Sequence, residues 1–358
     1  MLKQIGKPDY ILISTTFILV FIGMLMIFSA SFDVLHLRRQ FISFLLGFMF
    51  FVVGGLVDYR FYKKLIIPLM FFSLILLIFT YIPGLAYKAG GATRWLNFAG
   101  FIFQPSELIK MILIIFTAIA IENKQNLMKS FTRGVLPIMM VVGVFLILIM
   151  AQPDLGTTLL LSSVIISMLF IAGIRFWHLG VMVLVGLRSV FWVVENSTYQ
   201  KNRILAFLDP WKDSLGIGFN TIQSLLAVGS GGICGLGLGN SNQKFSYLPQ
   251  PFTDYIYAII CEETGFLGAI LVIVLFFIFA IRGFRTARLA PDRYGTMLAF
   301  GITSWIVLEA MLNMGVVLGL VPPTGIPLVF ISLGGSSLLV SLFAVGVLVN
   351  ISRHSNYS

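Results

Sequence analysis

The stretch YILISTTFILVFIGMLMIFSA, residues 10–30, decides the fold class of this protein, because it carries no charged side chain. A helix needs about 20 consecutive, mostly apolar residues to cross the hydrocarbon core of a bilayer. This stretch is long enough, and no small-residue cleavage site follows its apolar core. We therefore predict a retained transmembrane helix here rather than a cleaved signal peptide.

Apolar stretches of this kind recur along the whole chain. Hydrophobic residues make up 58% of the 358 residues and charged residues 11%, whereas ordinary soluble domains carry about 25% charged residues. We predict an all-α integral membrane protein with about ten transmembrane helices, folded as a single polytopic membrane domain over residues 1–358. The predicted spans lie near residues 10–31, 40–57, 63–82, 105–121, 135–152, 155–174, 176–194, 256–281, 296–317 and 329–351.

The connections between these spans alternate in charge. On one side of the membrane, Lys and Arg residues concentrate, chiefly at residues 60–64, 124–133 and 282–293. Positive charge marks the cytoplasmic side, and long loops count for less in this rule. We therefore predict that both termini are cytoplasmic. Residues 195–255 are then a large, structured extracytoplasmic loop between the seventh and eighth spans.

Two segments are rich in glycine, and the second of them also in proline. The run GSGGICGLGLGNS, residues 229–241, does not follow a strand of a βαβ unit, so it fails the context test for a dinucleotide-binding site. Its glycines favour tight turns or the close approach of a ligand or another helix. The run LVPPTGIPLVFISLGGSS, residues 320–337, is uncharged. It is typical of a re-entrant or cavity-lining loop, because irregular backbone at membrane depth must be buried in protein or wet.

A polar island, QKFSYLPQPFTDYIYAIICEE, occupies residues 243–263. Asp254 stands between a proline-rich loop and a very apolar helix, and Glu262 and Glu263 follow two turns later. Acidic groups at a membrane boundary are costly unless they face a partner or a wet cavity, so they indicate a functional site. The alternative is an interfacial aspartate that caps the next helix.

Further polar residues lie within or beside the predicted spans. Glu107 and Lys110 are three residues apart and share a helix face. They form either a self-neutralising pair or the charged wall of a cavity. Asp154 lies in a Pro-Asp turn, and both residue types are common in turns without any functional role. Glu309 and Asn313 share a face in the ninth span, where a hydrogen-bonded pair between helices explains them as well as a ligand does.

Several classes of protein do not fit the sequence. The three histidines, His36, His178 and His354, are scattered, which argues against a histidine-ligated metal site. The net charge of +10 is distributed by loop rather than gathered in one patch, so we predict no nucleic-acid partner. Cys234 and Cys261 match no metal spacing; they could form a disulfide, but we favour two buried thiols.

Four segments together resemble the SEDS family, the RodA, FtsW and SpoVE proteins of bacterial elongation, division and sporulation. The motifs LAFLDPW and QKFSYLP resemble the FtsW and SpoVE branch more closely than the RodA branch. Val329 replaces a proline and Leu333 a tyrosine that are usual in the family. The segments are GATRWLNFAGFIFQPSELIK (91–110), AQPDLGTT (151–158), LAFLDPWKDSLGIGFNTIQSLLAVGSGGICGLGLGNSNQKFSYLPQPFTDYIYAIICEETGFLGA (205–269) and NMGVVLGLVPPTGIPLVFISLGGSS (313–337).

The resemblance implies a peptidoglycan glycosyltransferase that polymerises lipid II on the outer face of the bacterial cytoplasmic (inner) membrane. It also implies a class B penicillin-binding protein as transpeptidase partner, along with other membrane proteins of the divisome or elongasome. The aspartate of the family's TD motif, here Asp254, is the implied catalytic residue. The expected substrate-binding residues are Lys110, Glu107, Asp154, Arg94, Gln243, Lys244 and Thr253.

These residue types suit glycosyl transfer. A carboxylate can accept the proton of a sugar hydroxyl as that hydroxyl attacks an anomeric carbon. The departing polyprenyl diphosphate needs positive charge, which Lys110, Arg94 or a divalent cation such as Mg or Mn would supply. Burial should raise the pKa of Asp254, whereas Lys110, if near, would oppose the rise.

A flippase that moves lipid II across the bilayer is the alternative function. About ten helices with intramembrane charges and broken segments would also suit a transporter. The candidate charges, however, cluster at the outer ends of the predicted spans rather than at the midplane, and the halves do not repeat. The sequence therefore favours a polymerase.

Overall fold

The computed structural model of the protein describes residues 6–31, 34–82, 84, 86–89, 92–98, 101–241 and 252–355. The described residues form a helical bundle with one small sheet. The helices are α1 (Tyr10–Ser31), α2 (Val34–Leu56), α3 (Tyr62–Phe79), α4 (Pro105–Asn123), α5 (Leu136–Ala151), α6 (Leu155–Ile171), α7 (Phe176–Asn196), α8 (Thr198–Leu208), α9 (Phe219–Ser230), α10 (Ile256–Leu289), α11 (Arg293–Val317) and α12 (Gly335–His354). The strands are β1 (Ala86–Ala89), β2 (Ala92–Phe98) and β3 (Phe101–Phe103).

The bundle is that of a multi-pass membrane protein. Eight helices in the described ranges are long and apolar enough to cross a membrane, namely α1, α2, α3, α5, α7, α10, α11 and α12. The two other predicted spans are also helical, but α6 has only 17 residues and α4 carries three charged side chains. The helical fold class is confirmed, whereas the count of about ten spans stays a prediction.

The centre of the bundle is formed by α11 and α12, whose spans are the most buried of the eight. The α12 helix packs along α2, and α11 packs against α10, α4 and α6. By contrast, α7 is the most exposed span, as expected for a helix that faces lipid over most of its surface. The central position of α11 places its polar residues inside the protein rather than against lipid.

The glycine-rich run packs against a break in α10. Gly265 interrupts that helix with a positive φ of 68°. The amides of Leu236 and Gly237 donate hydrogen bonds of 3.0 Å to the carbonyls of Glu262 and Glu263, which the break leaves without helical partners. A Cβ atom on Gly235 would lie 2.2 Å from the Glu263 carbonyl oxygen. The predicted role of the glycines in tight turns and close helix approach is thus confirmed.

The predicted large loop is folded where it is described. It contains α8, a short 3₁₀ turn over Pro210–Asp213, and α9, which packs against α10 and α11. Residues 242–251 lie outside the described part of the chain. The bounds 195–255, the single domain over 1–358 and the side of the membrane on which the loop lies remain predictions.

The segment before α12 is irregular up to Gly334, in agreement with the irregular run predicted at residues 320–337, but not with the helix start predicted at residue 329. The span expected at 329–351 begins instead at Gly335. The Leu328 amide donates a hydrogen bond to the Ser332 hydroxyl, and the Ser332 amide donates one to the Leu328 carbonyl. A buried turn therefore replaces the first helical turn. Phe330 in this turn has a positive φ of 67°, which a helix does not allow.

An antiparallel sheet between α3 and α4 was not predicted. Its strand order is β1-β2-β3, and Leu96 of β2 pairs with both Ala86 and Phe103. The short strands fall within the first segment that resembles the SEDS family, and β2 carries Arg94. The sheet therefore holds a basic side chain beside the bundle rather than leaving it on a flexible loop.

Candidate active site

Two cavities meet at Asp254. The first has a volume of about 400 Å³ and lies between α8, α9, α11 and the segment before α12. The second has a volume of about 580 Å³ and extends to the N-terminus of α12 and to β2. Besides Asp254, both cavities are lined by Tyr199, Arg203 and Gly325. Asp254 therefore lines both cavities, and its catalytic role stays a prediction.

Gly325 brings the acid and a guanidinium group to the same place. A Cβ atom on this residue would lie 3.4 Å from Nη2 of Arg203 and 3.6 Å from Oδ2 of Asp254. Its φ of +72° is one that side chains rarely adopt. Arg203 is fixed in turn, since it donates to the Thr324 carbonyl at 3.2 Å and to the Tyr199 hydroxyl at 2.5 Å. The guanidinium also stacks over the Tyr199 ring at 4.5 Å.

The backbone around Asp254 is held by the centre of the bundle. The amide group of Asn313 donates hydrogen bonds of 2.8 Å to the carbonyls of both Asp254 and Ile326. The Ser332 hydroxyl donates to the Thr253 carbonyl at 2.5 Å. Asn313 is almost completely buried in α11, so the loop that carries the acid is pinned to a rigid helix.

The electrostatic surroundings of Asp254 act in both directions. Burial raises the pKa of its carboxyl above the ordinary value, because burial penalises the charged form. The Arg203 guanidinium opposes this rise in the pKa most strongly, followed by a hydrogen bond from the Thr253 side chain and by Arg94. Asp154 adds to the rise. The opposing cation is thus Arg203 rather than the predicted Lys110.

Arg94 and Asp154 lie next to the site. Arg94 lines the second cavity, and its guanidinium is held by the carbonyls of Gln152 and Pro153. Asp154 is buried, caps α6 through the amide of Thr157, and lies 3.8 Å from Arg94. Neither cavity is lined by Asp154. Its geometry is that of a residue that orients Arg94, and the predicted direct contact with substrate lacks support from this arrangement.

The structure places Lys110 and Glu107 away from both cavities. The Lys110 ammonium is only 1% exposed and lies 2.9 Å from Glu107 and 2.8 Å from Glu309. Trp305 donates its indole N–H to the same Glu309 carboxylate and offers its ring 5.0 Å from the ammonium. The spacing of three residues places Glu107 and Lys110 on one face of α4, but it does not show whether that face lines a cavity or contacts a neighbouring helix. In this geometry the two residues bind α4 to α11 and neither lines the two cavities at Asp254. Their contact with substrate stays a prediction.

The other predicted residues divide into three groups. Thr253 lines the second cavity beside Asp254, whereas Gln243 and Lys244 lie outside the described residues. Glu262 accepts a hydrogen bond of 2.5 Å from Ser241, and Glu263 accepts one of 2.5 Å from Ser29. These two glutamates therefore hold the glycine-rich run and α1.

Both cysteines are free. Cys261 is buried, as favoured, whereas Cys234 is exposed.

No group of three or more His, Cys, Asp or Glu residues suited to a metal ion occurs in the described ranges. Asp254 is the carboxylate that lines the two cavities. Magnesium commonly binds one or two protein carboxylates together with substrate phosphate oxygens. The donor set fits that mode of binding, and the predicted divalent cation remains untested.

Arg203, Tyr199 and Gly325 line both cavities but were not predicted from the sequence. Arg203 and Tyr199 are four residues apart on α8, a spacing that puts them on one helix face. That spacing was a usable signal for a fixed cation, but nothing in it points to Asp254. Asn313 was selected as a polar residue at membrane depth, and its part in holding the Asp254 loop appears only in three dimensions.

A comparison with protein families gives a match over nearly the whole chain. The family described as "Cell cycle protein" (FTSW_RODA_SPOVE) matches residues 10–357. The chain therefore belongs to the FtsW/RodA/SpoVE family, and the predicted SEDS resemblance is confirmed.

Individual relatives agree with this assignment. The chain is 44% identical to stage V sporulation protein E of Bacillus subtilis, with 98% of each chain covered. It is 41% identical to the protein named "Probable peptidoglycan glycosyltransferase FtsW" of Geobacter metallireducens, with 98% of this chain and 96% of the relative covered. Both relatives belong to the branch that the outer-loop motifs favoured.

Solved structures have the same fold. A chain from a peptidoglycan synthase complex that coordinates polymerization and crosslinking superposes with a TM-score of 0.81 at 27% identity, covering 98% of this chain and 99% of that chain. The rod shape determining protein RodA of Thermus thermophilus superposes with a TM-score of 0.72 at 25% identity, covering 98% of each chain.

Proposed function

We propose that this protein is a peptidoglycan glycosyltransferase that polymerises lipid II into glycan strands at the outer face of the bacterial cytoplasmic membrane. The relatives named as peptidoglycan glycosyltransferases support the reaction class. The observation that carries the proposal is the position of Asp254 where two cavities meet, beside the guanidinium of Arg203. Two cavities at one acid are what a reaction between two sugar-lipid substrates requires.

Asp254 acts as the general base. Its carboxylate takes the proton of the acceptor sugar hydroxyl while the hydroxyl oxygen bonds to the anomeric carbon of the donor. The bond from that carbon to the polyprenyl diphosphate breaks, and the electron pair leaves with the diphosphate. A positioned base contributes about 10²- to 10⁴-fold to such a step. Burial improves Asp254 for this task, because a raised pKa makes the carboxylate a stronger base.

The two arginines neutralise the leaving group. Arg203 and Arg94 both line the second cavity and are held rigidly by backbone carbonyls. Fixed cations at the point where charge develops cost no reorganisation during the reaction. A divalent cation, Mg or Mn, would add positive charge at the same diphosphate, and Asp254 would be available to hold it as a carboxylate that lines both cavities.

The wider setting follows from the same proposal. Both termini lie in the cytoplasm, and residues 195–255 lie outside, so that the cavities open toward the lipid II of the outer leaflet. A class B penicillin-binding protein crosslinks the product, and other divisome or elongasome membrane proteins join the assembly. Support for the transpeptidase partner comes from the fold shared with a chain of a peptidoglycan synthase complex. Nucleic acid has no part in this function.

The experiment measures glycan strands made from fluorescent lipid II by the purified protein, alone and with its class B penicillin-binding protein. Asp254→Asn should lower the rate at least about 100-fold. The control Glu195→Gln removes an exposed carboxylate that lies 3.9 Å from Arg188, and it should leave the rate unchanged. A folded Asp254→Asn variant that still makes strands would exclude Asp254 as the base. Wild-type protein that moves lipid II across vesicles without polymerising it would favour the flippase instead.

A further inference from the structure

The N-terminus of α12 lines the second cavity, which Arg94 and Arg203 also line. Gly334, Gly335, Ser336 and Ser337 all contribute to the wall. The first amide groups of a helix have no partner within it, and they carry the positive end of the helix dipole. Within the described ranges, the amides of Gly335, Ser336 and Ser337 donate to no other group, and Gly334 offers no side chain as a cap.

The hydroxyl groups of the two serines are a second, separate observation. Ser336 and Ser337 are each only 8% exposed. Neither hydroxyl has a hydrogen-bond partner in the part of the chain that the structure describes. The two other buried serines of this helix are paired, since Ser341 donates to the Leu338 carbonyl at 3.1 Å and Ser352 to the Val349 carbonyl at 2.7 Å. Polar groups buried to this degree are normally paired. Their exposure is to the cavity, so a ligand in the cavity would pair them.

The charge of this wall defines the ligand. Arg94 and Arg203 face the same space, and Asp254 is the one carboxylate among the described residues that line it. Free amides at a helix N-terminus, two hydroxyl donors and two guanidinium groups are the donor set of a phosphate site. A diphosphate offers two charged groups to this donor set, whereas a monophosphate offers one.

We infer that the N-terminus of α12, with Ser336 and Ser337, is the diphosphate subsite of the prenyl-linked donor. The inference rests on the proposed function, and it adds residues that the general-base step does not use. One phosphate accepts hydrogen bonds from the amides of Gly335 to Ser337 and from the two hydroxyls. Arg94 and Arg203 bind the other phosphate, the one attached to the sugar beside Asp254. The helix dipole then favours the charged leaving group as the glycosidic bond forms.

The test measures binding of farnesyl diphosphate to the purified full-length protein by its effect on thermal unfolding over a concentration series. The Ser336→Ala/Ser337→Ala double variant should bind at least about tenfold more weakly, since hydrogen bonds to charged groups are among the strongest in proteins. Ser341→Ala is the matched control in the same helix and should bind like the wild type. Equal binding by the double variant and the wild type would overturn the inference.

Further arms identify the ligand and separate this inference from the proposed function. Farnesyl monophosphate should bind more weakly than the diphosphate by about the same factor, whereas equal binding would exclude a diphosphate subsite. Inorganic pyrophosphate that binds as tightly as farnesyl diphosphate would exclude a lipid-linked ligand. Asp254→Asn should retain binding while it loses polymerisation. The wild type could bind farnesyl diphosphate through Ser336 and Ser337 and yet never polymerise lipid II. That result would support the subsite and contradict the proposed function.

Discussion

Replacing Lys110 by methionine tests whether this residue acts through structure or through substrate. Methionine keeps most of the length and volume of lysine but removes the charge. The two carboxylates of Glu107 and Glu309, which lie 2.9 and 2.8 Å from the ammonium, are then left inside the bundle without a cation. Because all three groups are at most 3% exposed, water cannot replace the lost partner.

The magnitude follows from this burial. Removing one partner of a buried ion pair costs about 3–5 kcal/mol, since the remaining charge is uncompensated. The matched control is Lys63→Met, which breaks the pair of Lys63 with Glu122 at 2.6 Å, where the side chains are 32% and 27% exposed. Pairs of this kind contribute about 0–1 kcal/mol. Lys110→Met should therefore destabilise the protein several times more than Lys63→Met does.

A compensating variant sharpens the test. Lys110→Met combined with Glu107→Gln and Glu309→Gln removes all three charges, and it should recover most of the lost stability because no uncompensated charge remains. Glu107→Gln alone should be nearly neutral, since two carboxylates share one ammonium in the wild type. Thermal unfolding in detergent, followed by circular dichroism, measures the purified wild type and all four variants under the same conditions.

Lipid II polymerisation by the same proteins decides between the two roles. If Lys110 only joins α4 to α11, the compensated variant should regain a large part of the activity that Lys110→Met loses. If Lys110 binds the diphosphate directly, the compensated variant should be as inactive as the single one despite its restored stability. The second result would refute a purely structural role for Lys110.

Three other predictions address the acid and the glycine-rich run. Arg203→Gln should move the acidic limb of the polymerisation pH profile to higher pH, because the guanidinium opposes the raised pKa of Asp254 and the base works only when ionised; an unchanged or lowered limb would contradict this. Asp254→Asn should raise the unfolding temperature at neutral pH. The raised pKa of the Asp254 carboxyl in the folded state lowers the free energy of unfolding as the pH increases toward that pKa, and the uncharged amide removes this cost. A lower unfolding temperature of the variant would contradict the prediction. Gly235→Ala should destabilise the protein by about 2 kcal/mol or more, since its φ is +79° and its Cβ would lie 2.2 Å from the Glu263 carbonyl oxygen. Gly229→Ala, where a Cβ meets nothing within 4 Å, is its control and should not destabilise.

Most of the fold was accessible from the sequence, because the length and apolarity of a span depend on local composition alone. The beginning of α12 was accessible only in part, since residues 329–333 were placed both in the irregular run and in the last span. These mostly apolar residues are equally compatible with a helix and with the buried turn that they form. What excludes the helix is the positive φ of Phe330 and the extended backbone of Gly334, together with the hydrogen bond from the Leu328 amide to the Ser332 hydroxyl. Composition cannot rank these local alternatives.

The site was accessible only in part. Asp254 could be selected because an acid at a membrane boundary is costly without a function. Arg203 could not, because its approach to Asp254 depends on how α8 packs across the segment that contains Gly325. Lys110 was left open between a self-neutralising pair and the wall of a cavity, because an intramembrane charge is explained equally well by a buried partner. Glu309 is that partner, and the sequence gives no measure of its distance from Lys110.

The position of α11 links the buried charges to the acid without any contact between them. Glu309 and Asn313 are one helical turn apart. The first binds α4 through Lys110, and the second binds the backbone of Asp254 and Ile326. A shift of α11 caused by the loss of Lys110 would therefore move the carbonyl anchors of the segments that hold both cavities. Polymerisation should depend strongly on the geometry of acid and substrate, so a residue outside the cavities can control the rate through the same helix that fixes Asp254.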